Sequence, residues 1–316
     1  MKSLEHAVEG KLHAMIIAGE NTLVSDPDRK HCQHALESLD HLVVIDLFVT
    51  ETAELADVVL PATAWAETDG VFTNTERRIQ RVRAAVPPQG QARPEWWIVA
   101  QIGKRMGAPG FGWQSAKDVF DELCSVSPIY AGVNWEKIDD GRYHWPVPYE
   151  GHPGTPRLHE QDFPSPSGKG KLTIVGYRDP AEVVSEQYPV WLTTGRRLQH
   201  YHTRTMTGRA GMHWFVPEET LEVHPDDVAK YGLRDGEMCR MSSPRGSVMV
   251  RVEATDTSPR GTVFCSFSFG DVAVNDLTGS GYDPVTETAE LKVCPVRIEP
   301  VERAAEPTME PSQSAP

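Results

Sequence analysis

The stretch His13-Ala14-Met15-Ile16-Ile17-Ala18-Gly19-Glu20-Asn21 joins a short apolar run to a polar, glycine-led turn. The same pattern recurs twice. Ser25-Asp26-Pro27-Asp28 opens a helical stretch through Leu39, and a second run, Leu42-Val43-Val44-Ile45, ends at Asp46. A short helical stretch around Glu51–Ala56 then leads into Val58-Val59-Leu60-Pro61. Uninterrupted apolar strands separated by helices predict a parallel sheet covered on both faces. Ligands of such sheets bind beyond the carboxyl ends of the strands. Those ends are Gly19–Asn21 and Asp46–Thr50. No Gly-x-Gly-x-x-Gly accompanies them, which excludes the ordinary dinucleotide fingerprint.

Farther along, Gly70–Arg83 alternates in part and is strongly basic. Pro94 opens a helix over Glu95–Met106 closed by Gly107, and Ser115-x-x-Asp118 reads as a capping box for a helix through Cys124. The segment from Pro146 to Gly176 is a Pro/Gly-rich connector. Its Gly168-Lys169-Gly170-Lys171 lacks the earlier glycine and the following hydroxyl of a phosphate loop. From residue 188 the period changes. Strands are expected at Val190–Leu192, Glu237–Ser242, Ser247–Ala254 and Thr262–Phe269, with turns at Asp235-Gly236, Arg245-Gly246 and Arg260-Gly261. One helix, Pro225–Tyr231 with Gly232 as its cap, interrupts them. This spacing suggests a small barrel. The acidic, proline-containing residues 301–316 read as a disordered tail.

Composition narrows the function. The 316 residues carry 31 Lys and Arg against 45 Asp and Glu, a formal net charge of −14. That balance excludes general nucleic-acid binding. No window approaches a membrane span, and the first residues lack the apolar core of a secretory signal, so a cytoplasmic protein is expected. Cys32, Cys124, Cys239, Cys265 and Cys294 are widely spaced, with no Cys-x-x-Cys, and read as reduced core thiols.

Against this acidic background, residues 193–209 hold four arginines, two histidines and five threonines but no acid. Arginine forks, hydroxyls and exposed N–H groups after a strand end suit a phosphate or diphosphate; a solvated surface loop is the other reading. His200 and His202 as a metal pair lack further ligands nearby. Arg77, Arg78, Arg81 and Arg83 either bridge to the acidic surface or meet a ligand or partner, and the Trp96-Trp97 pair reads as core. Asp46 can accept from a ribose or a guanine edge, or cap the next helix. Two polyanion-friendly loops in two domains suggest an extended, nucleotide-bearing cofactor.

At these residues the chain resembles the C-terminal portion of the catalytic (alpha) subunit of molybdenum-dependent formate dehydrogenases, in the dimethyl-sulfoxide-reductase family of molybdopterin oxidoreductases. The resemblance rests on Gly19-Glu20-Asn21, Val43–Ala53, Ala56–Ala62, Gly70–Arg78, Leu192–Arg196, Asn275–Thr278 and Lys292–Arg297, in the family's order. It implies a Rossmann-like parallel-sheet domain over 1–112 and a helical segment and connector over 113–187. A double-psi β-barrel that binds the molybdopterin dinucleotide follows over 188–300. The implied cofactor is bis-molybdopterin guanine dinucleotide, carrying Mo or W. Gly19, Glu20, Asn21, Asp46 and Thr50 would hold one guanosine arm. Thr194, Gly195, Arg197, Arg196, His202, Thr205, Asn275 and Lys292 would hold the other arm and its pterin.

The family's iron–sulfur cysteines and its metal-ligating cysteine or selenocysteine have no counterpart here, and Thr22 replaces the usual proline. The chain is therefore expected to act as one half of a formate-oxidising enzyme. Its counterpart is the N-terminal half of the same subunit or a separate gene product, and an iron–sulfur/flavin diaphorase subunit is an expected partner. No residue present suits the chemical step or a metal. A non-catalytic structural subunit, a nitrate-reductase-type relative and an independent nucleotide-binding module are the alternatives.

Overall fold

A computed structural model describes residues 2–141, 143–283 and 285–301; the tail expected over 301–316 lies outside them beyond Val301. Helix α1 (Lys2–Val8) precedes β1 (Ala14–Ala18), α2 (Thr22–Ser25), α3 (Arg29–Glu37), β2 (His41–Asp46), α4 (Glu51–Glu54) and β3 (Val58–Pro61). The three strands form a parallel sheet in the order β1-β2-β3, with Ala18 opposite Ile45 and Ile45 opposite Leu60. Their carboxyl ends therefore align Gly19, Asp46 and Ala62 along one rim.

Leu4, Ala7, Ile17, Cys32, Leu36, Leu42 and Val44 form the core on one side. On the other, Ile45 and Ala62 pack with Ile98 of α5 (Glu95–Arg105). Only the central strand is covered as the sequence predicts. Ile16 on β1 is 52% exposed and Val58 and Val59 on β3 are 38% exposed, because a three-stranded sheet leaves two of its strands as edges.

An antiparallel hairpin of β4 (Gly70–Thr73) and β5 (Ile79–Val82) packs on α6 (Ala116–Val126), which carries the expected Ser115–Asp118 capping box. Ile79, Phe120, Ile138, Tyr143 and Val147 form this second body's core. The hydrophobic cluster thus runs across residue 112. The arginine cluster is absorbed here. Arg77 donates to the carbonyls of Trp145, Thr155 and Pro156, Arg78 to Gly141, and Arg83 pairs with Asp139 at 2.6 Å. Arg81 lies 3.8 Å above the Trp135 ring. The expectation of a tryptophan core pair is corrected: Trp97 is 38% exposed, while Ile98 and Ala100 take the buried positions of α5.

The third body is a closed barrel of six strands, in the order β10-β6-β11-β8-β9-β7. They are β6 (Val190–Gly195), β7 (Thr220–Val223), β8 (Met238–Ser242), β9 (Ser247–Ala254), β10 (Thr262–Ser266) and β11 (Cys294–Pro300), with α7 (Pro225–Lys230) after β7. Inward residues alternate along each strand: Val190 and Leu192; Leu221 and Val223; Cys239 and Met241; Val248, Val250 and Val252. The four cysteines other than Cys124 are buried, and all five are free thiols. Burial pushes Cys32 and Cys239 up to about 12, which makes them poor nucleophiles.

The barrel is joined directly to the first body. Asn275 donates to the carbonyls of Val24 (2.8 Å) and Ser25 (3.1 Å), and Lys30 donates to Arg245 O at 2.8 Å.

Candidate functional site

The arginine-rich loop leaves β6 at Gly195, whose backbone runs so close to Phe264 that an added Cβ would lie 2.6 Å from the ring. Gly195→Ala is accordingly expected to cost about 1–3 kcal/mol through overpacking, read as a lowered thermal midpoint. Beyond the glycine the loop is held by its own side chains. His200 is buried, donating Nε2–H to Val216 O (2.7 Å) and leaving Nδ1 to accept from Thr207 Oγ1 (3.1 Å). That use of both ring nitrogens takes His200 out of any metal pair. His202 and Arg204 adopt left-handed φ of 49° and 63°, a strained conformation for side chains of this size.

The end of the strand predicted over Thr262–Phe269 departs from the sheet. β10 stops at Ser266: Phe267 N–H makes the last ladder bond to β6, at Gly195 O, while on the other side Glu219 takes the Ser266 N–H. Phe267 and Phe269 then become supports for the loop. Arg196 lies 5.9 Å from the Phe267 ring and Arg204 4.4 Å from Phe269. Arg209 lies over Phe48 at 4.6 Å, carrying the loop across to the first body.

Between loop and sheet rim lies a cavity of about 310 Å³. Gly19, Glu20, Asn21 and Asp46 of the sheet rim line it together with Arg196, His202 and Thr205 of the loop, and His202 Nδ1 lies 4.0 Å from Glu20 Oε1. Residues expected on two separate arms of a ligand thus line a single cavity. A neighbouring hollow of about 530 Å³ shares Thr203 and Thr205 with it and adds Thr50, Arg204, Arg209 and Ser268. Both volumes lie within the usual range for small-molecule sites.

The rim is pre-ordered. Asn21 Oδ1 accepts from Thr52 N–H and Oγ1–H, while its Nδ2 donates to Glu51 at 2.8 Å. Thr50 caps α4 by accepting from Ala53 N–H. Asp46, 9% exposed, accepts from Leu47 N–H at 2.6 Å. Burial pushes its carboxyl above the ordinary 3.8, with nearby Glu20 adding to the rise and the Leu47 and Phe48 amides opposing it. A raised folded-state value means that Asp46 favours folding at pH below 3.8 and that this contribution is lost as pH rises through the raised value. Asp46→Asn should therefore raise the thermal midpoint of the unliganded chain at neutral pH and leave it unchanged near pH 3, a difference that scanning calorimetry at the two pH values measures.

The other expected residues lie away from this cavity. Thr194 is buried and donates to Leu291 O, and Lys292 Nζ donates to Thr194 O at 2.7 Å. Lys292 faces a hollow of about 920 Å³ on the barrel's outer side, beside Trp191 and Thr193. Arg197 is committed to Glu219 and Glu222, and Asn275 to the backbone of α2. Thr203, Arg204, Arg209 and Ser268 line the site without having been singled out individually. The hydroxyl of Ser268 is buried without a hydrogen-bond partner, as is Nε of Arg204. The charge anomaly contained the two arginines, but a lone serine between phenylalanines carried no signal. Among the described residues, no group of three His, Cys, Asp or Glu side chains is placed to hold a metal, and no helix is long and apolar enough to cross a membrane.

Residues 1–105 match the family described as molybdopterin oxidoreductase, and residues 190–295 match the molydopterin dinucleotide binding domain. The chain is 44% identical to the F420-dependent formate dehydrogenase 2 subunit alpha of Methanococcus maripaludis, over 94% of this chain and 44% of that protein. It is 43% identical to the F420-dependent formate dehydrogenase subunit alpha of Methanocaldococcus jannaschii, over 90% and 43% of the two chains. Among solved structures, acetylene hydratase from Pelobacter acetylenicus superposes with a TM-score of 0.75 over 95% of this chain and 46% of that one. At 19% identity that likeness is one of fold. The chain spans a little under half the length of these relatives.

Proposed function

Since the chain belongs to the molybdopterin oxidoreductase family, we propose that the cavity between its sheet rim and arginine loop holds a guanosine diphosphate end of bis-molybdopterin guanine dinucleotide. The observation that carries this reading is that Asp46, from the sheet rim, and Arg196, from the arginine loop, line one cavity. A carboxylate is the acceptor that the N–H edge of guanine or a ribose diol requires, and a guanidinium suits a diphosphate. Gly19 and Asn21 would let the chain approach the ligand closely, Glu20 would serve the ribose, and His202 and Thr205 would join Arg196 in holding the phosphates.

The donor set fits the group. Ser268 Oγ and Arg204 Nε are buried donors without protein acceptors, beside the adjoining hollow. There Thr50 and Arg209 would meet the continuing pterin. Thr194, Gly195, Arg197, Asn275 and Lys292 serve the site by fixing the backbone that presents it. The Rossmann-like reading of the first body is supported by the order β1-β2-β3 with its polar rim. The double-psi reading of the barrel is supported by its two parallel pairs, β6 with β10 and β7 with β9.

The formate dehydrogenase names of the relatives support formate oxidation to carbon dioxide as the reaction of the whole enzyme. In it this chain supplies binding and electrostatics, and the cofactor, when bound, supplies two-electron redox chemistry at Mo or W. A polypeptide corresponding to the rest of the relatives' length would bring the iron–sulfur cluster and the metal-ligating cysteine or selenocysteine. A diaphorase-type subunit would take up the electrons in the cytoplasm, and F420 is the first acceptor to try. Co-expression with that polypeptide tests the reading: the purified complex should contain guanine together with molybdenum or tungsten and oxidise formate. A stable complex without guanine and metal would reject it.

A further inference from the structure

Glu219 touches neither cavity, yet it lies where three segments of the site converge. Its side chain is fully buried, and that of Arg197 beside it is 13% exposed. Oε1 accepts from Arg197 Nη2 (2.9 Å) and Nε (3.1 Å), from Ser266 N–H (3.2 Å) and from Thr220 N–H (3.3 Å). Oε2 accepts from Ser266 Oγ–H, and Ser266 Oγ in turn accepts from Ser268 N–H (3.2 Å). One carboxylate therefore ties the loop's exit from β6, its return into β7 and the end of β10. The last of these carries Phe267, Ser268 and Phe269 against the ligand loop.

A buried ion pair is costly to desolvate and contributes little net stability, so its placement points to a positional use. Resting on the guanosine diphosphate reading, we propose that Glu219 is the positioning residue of the ligand loop. It sets the entry of residues 196–209 through Arg197 and the floor beneath Arg196 and Arg204 through Ser266. Burial pushes its carboxyl up, while Arg197 and the two Ser266 donors favour its charged form.

The test compares Glu219→Gln, Ser266→Ala and the charge-free pair Glu219→Leu/Arg197→Met in the full chain. Readouts are GDP affinity, thermal midpoint and amide hydrogen exchange over 196–209. Glu219→Gln should weaken GDP binding about tenfold or more and accelerate loop exchange, and Ser266→Ala should do so to a smaller degree. The charge-free pair should recover the thermal midpoint without recovering GDP affinity or loop protection. If Glu219→Gln fails to fold, Ser266→Ala and the charge-free pair decide the matter by the same two readouts. Loop exchange that stays at the wild-type rate in the folded variants would overturn the proposal, whether or not GDP binds. GDP binding that is absent, or insensitive to Arg196→Ala, would reject the guanosine diphosphate reading instead, and loop exchange would still decide the role of Glu219.

Discussion

Arg196→Ala is expected to weaken GDP binding by the chain by one to two powers of ten. Among the described residues Arg196 has no hydrogen-bonded side-chain partner; it lies above Phe267 and lines the cavity. Its donors are free for a phosphate. Hydrogen bonds to charged groups contribute about 1.5–3 kcal/mol each, and about 1.4 kcal/mol is a factor of ten. Because the side chain is exposed, removing it should change folding stability by no more than about 0.5 kcal/mol. Titration calorimetry and thermal unfolding on the same samples separate the two effects. An unchanged GDP affinity would remove Arg196 from the site. In an assembled complex the same substitution should lower guanine and metal content.

Leu192→Ala is expected to have the largest effect on stability, about 2–5 kcal/mol, because it opens a void in a packed core. Leu192 is completely buried at the centre of β6, opposite Val263 on β10 and Cys294 on β11. Those neighbours belong to a closed barrel and cannot collapse inward without breaking strand register. The loss is a large share of the roughly 5–15 kcal/mol by which domains are stable. Urea unfolding of the barrel should show a lower midpoint with little change in slope. A loss below about 1 kcal/mol would mean that the barrel interior is not tightly packed.

The sheet rim was legible because apolar runs ending in Gly19 and Asp46 encode both the parallel strands and the polar ends that line the cavity. The β8–β9 hairpin and α7 were legible for a similar reason, since Arg245-Gly246 and Pro225 with Gly232 are local signals. β7 carries no local signal: Thr220–Val223 is four residues long and follows Glu218 and Glu219, so only the closed barrel reveals Leu221 and Val223 as core. The end of β10 is not legible, because Phe267-Ser268-Phe269 continues the strand's alternation. On one side the strand ends in a hydrogen bond from Ser266 to Glu219, 47 residues away. Within the site, composition points to the arginine loop as a whole and the resemblance names Arg196 and Arg197, of which only Arg196 lines the cavity. Arg197 and Arg196 are adjacent, and only the tertiary placement of Glu219 and Glu222 commits one of them to the protein.

The central claim is that Asp46 and Arg196 hold one guanosine diphosphate in the cavity they both line, and GDP and ADP titrations of the wild-type chain and Asp46→Asn test it most directly. GDP should bind at least about tenfold more tightly than ADP to the wild type, because a carboxylate can accept from guanine's adjacent N1–H and N2–H, whereas adenine sets its single amino donor beside the acceptor N1. Asp46→Asn should abolish that preference while retaining the Arg196-dependent binding common to both nucleotides. Equal binding of GDP and ADP by the wild type, or an undiminished guanine preference in Asp46→Asn, would contradict the account.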